Sequence, residues 1–258
     1  MGKHLSFATM AMKGEKGMSW LARYLQGKPW RPVWSITFVV FVTMLFAPLR
    51  CTAQALRKGI SVELPVTSNA IAMPDADKED ALIVAVTHNG SVYFGIDPIT
   101  PAALAEKHGL SSRVEEKLYI KADARTPYAN VMNVLDAVRK AGVTAPNLLT
   151  AQHETPEPGK LVPPKGLEVL VGPSLPSGAE STVVQVLNSG QRWPVLKINN
   201  EEIPWATLES RLRQLFTNRS EKVVLVKADG LLPFARVVHV IDVCRSTGAI
   251  VFLVTPAT

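Results

Sequence analysis

The chain has 258 residues, 47% of them hydrophobic, and a formal net charge of +6, enough for one large domain or two small ones of roughly 100–150 residues each. The basic excess gathers at the front, where Lys3, Lys13, Lys16, Arg23, Lys28 and Arg31 stand against Glu15 alone before residue 33. A nucleic-acid surface needs basic residues clustered on a folded docking element; the sequence offers none, so no nucleic-acid partner is expected.

Residues 1–32 read as a cytoplasmic basic leader. Trp34 to Leu49, WSITFVVFVTMLFAPL, contains no charged residue. With its flanks the segment 33–55 reaches the about 20 residues that cross ~30 Å of hydrocarbon. Arg50 would snorkel toward headgroups, and Trp30 and Trp34 suit the membrane–water boundary. The expectation is a single-pass transmembrane helix, amino end in the cytoplasm, with the rest of the chain exported. A cleaved signal peptide is the alternative, because Ala53-Gln54-Ala55 offers an A-x-A site after the apolar run. Two cysteines cannot form a disulfide framework. Cys51 follows the membrane segment, where a disulfide between two copies is open to it; Cys244 reads as a packed core thiol.

From Gly59 the periodicity changes. GISVELP reads as a leading strand, and ALIVAVTHNGSVYFGID as a hairpin turning at Asn89-Gly90. PAALAEKHG is a helical stretch, and KLYIKAD alternates as a half-buried strand does. Pro127 suits the first turn of a helix, in which Val131, Val134, Leu135 and Val138 recur at i, i+3, i+4 and i+7. Gly142 is placed to end that helix in the left-handed conformation, and NLLTA closes a unit spanning 59–152. Residues 153–165, rich in proline and charge, read as an extended, solvated linker.

The same order then recurs over 166–258. GLEVLVGP leads, STVVQVLNSGQRWPVLKINN turns at Ser189-Gly190, WATLESRLRQLF is helical and KVVLVKAD is a strand. A second helix carries Val237, Val240, Ile241 and Cys244 and ends at Gly248, and AIVFLV closes. Lys121–Gly142 and Lys227–Gly248 align without gaps, a shift of 106 residues, with Lys, Ala, Asp, Pro, Ala, Val, Val, Asp, Arg and Gly shared. Such agreement reads as a repeat. The expected fold class is α+β: one transmembrane helix, then two tandem small domains of order β-β-β-α-β-α-β, each a mixed sheet with two helices on one face.

Asp123 and Asp229 open the loop after a strand, where capping or loop hydrogen bonding is the plain reading and partner contact the alternative. Asp136 and Asp242 fall opposite the apolar stripe of their helices and are expected to be solvated. The five histidines show no ligand spacing, so no metal is expected. No catalytic or dinucleotide fingerprint is present, so neither enzymatic activity nor a cofactor is expected.

Ala47-Pro48-Leu49, then GISVELP, NGSVYFGIDPIT and LYIKADARTPYANVMNVLDAVRKAG, resemble in order and spacing the ExbD/TolR family of single-pass subunits in the inner membrane of Gram-negative bacteria. The likeness covers the membrane segment and the first exported unit, and more loosely the second. It implies a helix inside the pore of an ExbB/TolQ-like membrane protein and a periplasmic domain acting on a TonB/TolA-like protein or peptidoglycan. A homo- or hetero-dimer with another ExbD-like subunit is also implied. In that family an aspartate near the cytoplasmic end of the helix couples proton flow to movement, because its charge is tolerated in hydrocarbon only when protonated. Here the family's proline and aspartate fall at about Pro32 and Ser35, or Trp34. No Asp, Glu or His lies between Arg31 and Arg50. Ser35 and Thr37 are the polar positions nearest the missing acid, and a hydroxyl cannot titrate in its place. The resemblance therefore implies an accessory subunit of an energy-transducing envelope complex, and the alternative is a membrane-tethered periplasmic binding module.

Overall fold

In the computed structural model, which describes residues 60–107, 117–153, 162–173 and 181–255, alternating apolar residues of the first half build a mixed sheet. Its strands are β1 (Val66–Thr67), β2 (Ile71–Ala72), β3 (Leu82–Val86), β4 (Val92–Phe94), β5 (Asp97–Pro98), β6 (Leu118–Ala122), β7 (Asn147–Gln152) and β8 (Lys165–Glu168). They lie in the order β2-β8-β7-β6-β3-β4-β5, with β1 on the end of β7. The hairpin β3–β4 turns through Asn89-Gly90. Gly90 has φ +85°, and a Cβ there would sit 2.6 Å from the Asn130 side-chain nitrogen, so both conformation and space demand glycine.

Two helices follow the sequence signals. In α1 (Pro101–Ala105) the Thr100 hydroxyl accepts from the Ala103 N–H. In α2 (Tyr128–Lys140) the predicted stripe of Val131, Val134, Leu135 and Val138 is fully buried, in one core with Val84, Val86, Leu118, Ile120 and Leu148 of the sheet. Each such side chain contributes about 1.5–3 kcal/mol by leaving water. Gly142, with φ +94°, ends α2 in the left-handed conformation, its N–H donating to the Arg139 carbonyl. In β3, β6 and β7 the odd-numbered side chains point the other way. There Ile83, Tyr119 and Leu149 form a second cluster with Met73 and Ala76, and Leu64 packs against it. The segment before β3 thus covers the sheet face that the helices leave. Only Val66–Thr67 of the predicted leading strand and its continuation pairs as a strand.

The second half repeats the plan with β9 (Leu170–Gly172), β10 (Ser181–Leu187), β11 (Val195–Ile198), β12 (Glu201–Ile203), β13 (Val223–Ala228) and β14 (Ile250–Val254). The order is β12-β11-β10-β13-β14-β9. Helix α3 (Leu208–Leu215) follows a 3-10 turn at Trp205–Thr207, and α4 (Phe234–Ser246) carries the second stripe. Cys244 is fully buried, and burial pushes its thiol up to about 12. In each half the hairpin is antiparallel, and the following strands pair parallel with its first strand, as a mixed sheet of this order requires.

The halves do not stand apart, and the described residues all fall within one unit, Arg57–Thr258. The strand expected to open the second half serves both sheets: β8 pairs antiparallel with β7, and β9 pairs parallel with β14. Val169 and Val171 N–H groups continue the β7 register by donating to the Pro146 and Thr144 carbonyls, at 3.4 and 2.9 Å.

A second junction is reciprocal. Tyr128 N–H donates to the Leu232 carbonyl (2.8 Å), and Phe234 N–H donates to the Thr126 carbonyl (2.9 Å). Ala129 N–H reaches the Gly230 carbonyl and Ala235 N–H the Ala124 carbonyl, both at 2.9 Å. Every pair maps onto its counterpart by the 106-residue shift read from the sequence. These N–H groups belong to the first turns of α2 and α4, which have no partner within their own helix, so each half caps the other's helix. Pro127 and Pro233 face one another in an antiparallel bridge at the centre. They form the non-hydrogen-bonded pair of that ladder, where a residue without an N–H loses nothing. Beside them the Tyr128 and Phe234 rings stack at 6.5 Å with planes 5° apart, both 1% exposed.

One expectation is corrected here. Asp242 is not solvated: it is buried at 4% exposure and accepts from the backbone N–H groups of Ser68 and Asn69, both at 2.9 Å. Asp136 is half-buried and pairs with Arg139 (2.6 Å) and Lys140 (2.8 Å). The stripe on α4 was read against its own sheet, but the other side of that helix meets the chain of the first half.

Three outcomes follow for chemical denaturation of the full chain. Phe234→Ala should lose about 3–5 kcal/mol, whereas Tyr128→Phe should be neutral or stabilising by about 1 kcal/mol, because the buried Tyr128 hydroxyl has no partner among the described residues. Asp242→Ala should lose about 2 kcal/mol by leaving two backbone donors unpaired.

Candidate functional site

The two aspartates singled out in the sequence occupy equivalent loops directly after the central strands β6 and β13. Asp123 N–H donates to the Val86 carbonyl and Asp229 N–H to the Val186 carbonyl, both at 2.9 Å. The first carboxylate accepts from the Arg125 N–H (3.0 Å) and the second from the Leu231 N–H (2.9 Å). Both side chains therefore hold their own loop. These loops carry the carbonyls of the reciprocal junction, so the aspartates fix the geometry on which it depends.

Around this shared frame the halves differ. In the first, the leading segment lies on the loop: the Ala124 N–H donates to the Glu63 carbonyl (2.7 Å), and the Glu63 N–H donates to Asp123 Oδ2 (3.3 Å). Arg125 completes the arrangement with its guanidinium on Asp123 (3.0 Å) and on Glu63 (3.5 Å). Asp123 is buried, and Lys121 beside it is half-buried. Burial lowers the Lys121 ammonium below its usual range. The Arg125 side-chain hydrogen bonds, helped by the backbone N–H groups of Arg125 and Glu63, bring the Asp123 carboxyl down to about 2 against the opposing effect of burial.

In the second half no described segment takes the place of residue 63. Position 231 carries leucine, 76% exposed, where the first half has Arg125. Lys227 is exposed, and Ala228, Asp229 and Gly230 are half-buried. A cleft of about 350 Å³ opens there, lined by Gln185, Leu187, Lys227, Ala228 and Asp229. Gly230 N–H, the counterpart of the donor on Ala124, has no partner among the described residues.

Sequence reading missed Glu63, Arg125, Gly230 and Leu231. The arginine-to-leucine difference was visible in the ungapped repeat alignment, but the place of Glu63 against the loop was not. Also unforeseen is a ladder on the second half alone. The Arg236 guanidinium lies 3.9 Å from the Trp193 ring, Trp193 lies 5.6 Å from Trp205, and Trp205 lies 5.8 Å from His239. Ser35 and Thr37 fall outside the described residues, as do Cys51 and the predicted span 33–55. Among the described residues no helix is long and apolar enough to cross a membrane, and no group of His, Cys, Asp and Glu is placed to hold a metal ion.

The depressed Asp123 carboxyl has a defined sign. A folded value below the unfolded one stabilises the native state above about pH 4, and the contribution is lost as pH falls through about 2. Arg125→Ala should therefore raise the Asp123 carboxyl, read by side-chain NMR titration, and flatten the fall in stability between pH 4 and 2.

Comparison with known proteins gives the family. The model described as biopolymer transport protein ExbD/TolR matches twice, over residues 33–153 and 157–256. The Tol-Pal system protein TolR of Pseudomonas aeruginosa is 24% identical over 136 residues, covering 46% of this chain and 92% of that protein. The biopolymer transport protein ExbD of the same organism is 26% identical over 103 residues, 39% of this chain and 75% of that one. No solved structure matches the chain. With the family model spanning the greater part of its length, the chain is a member of the ExbD/TolR family.

Proposed function

We propose that this protein is an inner-membrane subunit of an energy-transducing Tol/Exb-type transport system, coupled to the proton-motive force through an ExbB/TolQ-type partner. The observation that carries the reading is the family match beginning at residue 33, which takes in the predicted membrane segment as well as the folded half behind it. The subunit is non-enzymatic and accessory: a segment without Asp, Glu or His between Arg31 and Arg50 has no group whose charge changes with proton uptake in hydrocarbon. The exported part is a tandem of two copies of the family domain. The second match over 157–256 and the hydrogen bonds repeating at a shift of 106 residues support that reading. One chain thereby supplies both sides of a two-fold junction, in which residue i meets residue j and j meets i.

A second reading is favoured by the missing acid itself. A tethered periplasmic module that grips an envelope protein or peptidoglycan needs no titrating group, and any apolar segment serves as its anchor. The two readings separate on the helix face that carries Ser35 and Thr37, the polar positions nearest the missing aspartate. Replacing both by leucine should leave membrane insertion intact and reduce co-purification with the ExbB/TolQ-type partner several-fold. Undiminished co-purification favours the tether. Protease added to spheroplasts should cleave the folded half while sparing residues 1–32; a protected folded half would exclude both readings.

A further inference from the structure

Among the described residues the two halves present the same loop, one occupied and one open. In the first, Glu63 lies on it, giving its N–H to the Asp123 carboxylate and taking a hydrogen bond from Ala124 N–H on its carbonyl. Leu64, the next residue, packs on the cluster of Ile83, Tyr119 and Leu149. In the second half the aspartate and the backbone frame around it are kept. Asp229 N–H is held by the Val186 carbonyl, the Asp229 carboxylate holds Leu231 N–H, and Leu232 N–H donates to the Asp229 carbonyl. These repeat Asp123 on Val86, Arg125 on Asp123 and Thr126 on Asp123. The loop's one backbone donor left without a counterpart bond among the described residues is Gly230 N–H, at the position where Ala124 N–H meets Glu63 in the first half.

We propose that the cleft beside Asp229 docks an extended peptide segment of a partner protein in the manner of Glu63. The Gly230 N–H donates to a carbonyl of the bound segment, and the Asp229 carboxylate accepts the neighbouring N–H. Such main-chain bonds give affinity, and the side chains between them give specificity. The specificity differs from that of the first half. There the guest residue is acidic because Arg125 stands 3.5 Å from the Glu63 carboxylate. Here Leu231 occupies that position at 76% exposure, with Leu187, 37% exposed, lining the cleft. An acidic guest would lose its cation and be desolvated against leucine, whereas an apolar one covers surface that is now wet. The preferred segment is therefore extended and apolar at the position facing Leu231. This inference rests on the comparison of the two loops and holds whether or not the membrane helix docks on an ExbB/TolQ-type protein.

The test uses the full chain in detergent and two fluorescein-labelled peptides built on the chain's own leading segment: SVLLPV, and SVELPV as its acidic control. Fluorescence anisotropy should show SVLLPV binding about tenfold more tightly than SVELPV. Leu231→Arg should reverse that order, and Asp229→Ala should abolish binding of both. Leu231 is exposed, so its replacement leaves the fold intact, and circular dichroism checks each variant. Failure of both peptides to bind at millimolar concentration, or binding indifferent to both substitutions, overturns the proposal. A preference of the unmodified protein for SVELPV also overturns it, and assigns the cleft to the leading segment of a second copy instead.

Discussion

Four backbone hydrogen bonds about the Pro127–Pro233 pair hold the rest of this structure in place. They cap the first turns of α2 and α4 with carbonyls from the opposite loops, so neither helix start is complete in an isolated half. Separating the halves would exchange those four bonds for bonds to water, at about 0.5–1.5 kcal/mol each, and would expose the stacked Tyr128 and Phe234 rings. The prolines suit the centre of this junction because the pair directly opposite one another there contributes no ladder bond of its own. Their fixed φ, −55° and −57°, also sets the extended approach from which each helix begins.

Further contacts tie the same two halves. The strand from Lys165 to Gly172 lies along β7 on one side and passes to β14 on the other, and Asp242 of α4 holds the backbone at Ser68 and Asn69. The two halves are therefore not beads on a string. The halves also differ: among the described residues the first alone covers its aspartate loop with its leading segment, and the second alone carries the tryptophan ladder. A protein made of two separate identical chains cannot divide its surfaces in this way, because each substitution would appear on both sides.

Much of this was legible in the sequence. The alternation in KLYIKAD and KVVLVKAD, the i, i+3, i+4, i+7 stripes, and the glycines at 90, 142 and 248 carry local information, and the elements formed where these signals placed them. The family likeness was legible as well, from the order and spacing of the quoted motifs. What local pattern does not encode is which face a neighbour will cover. Asp242 looked solvated because its helix was read against one sheet. The leading segment GISVELP looked like a strand because valine and isoleucine alternate there, yet Glu63 bonds to a loop and, among its described residues, the Pro65 carbonyl alone meets β7, accepting from Ala151 N–H. Tyr128 and Phe234, aligned in the repeat beside matching prolines, were the visible trace of the junction; composition alone did not reveal that they meet. The membrane segment, with Ser35 and Thr37, stays as read from sequence.

The account stands on the two halves forming a single cooperative body, and native-state hydrogen exchange on the full chain measures this at the junction itself. If the halves cap one another, the amides of Tyr128, Ala129, Phe234 and Ala235 will exchange together and only through global unfolding, with protection equal to that of the core strands β6 and β13. Exchange at these four amides orders of magnitude faster than in the strands, or two separate unfolding free energies for the halves, would contradict it.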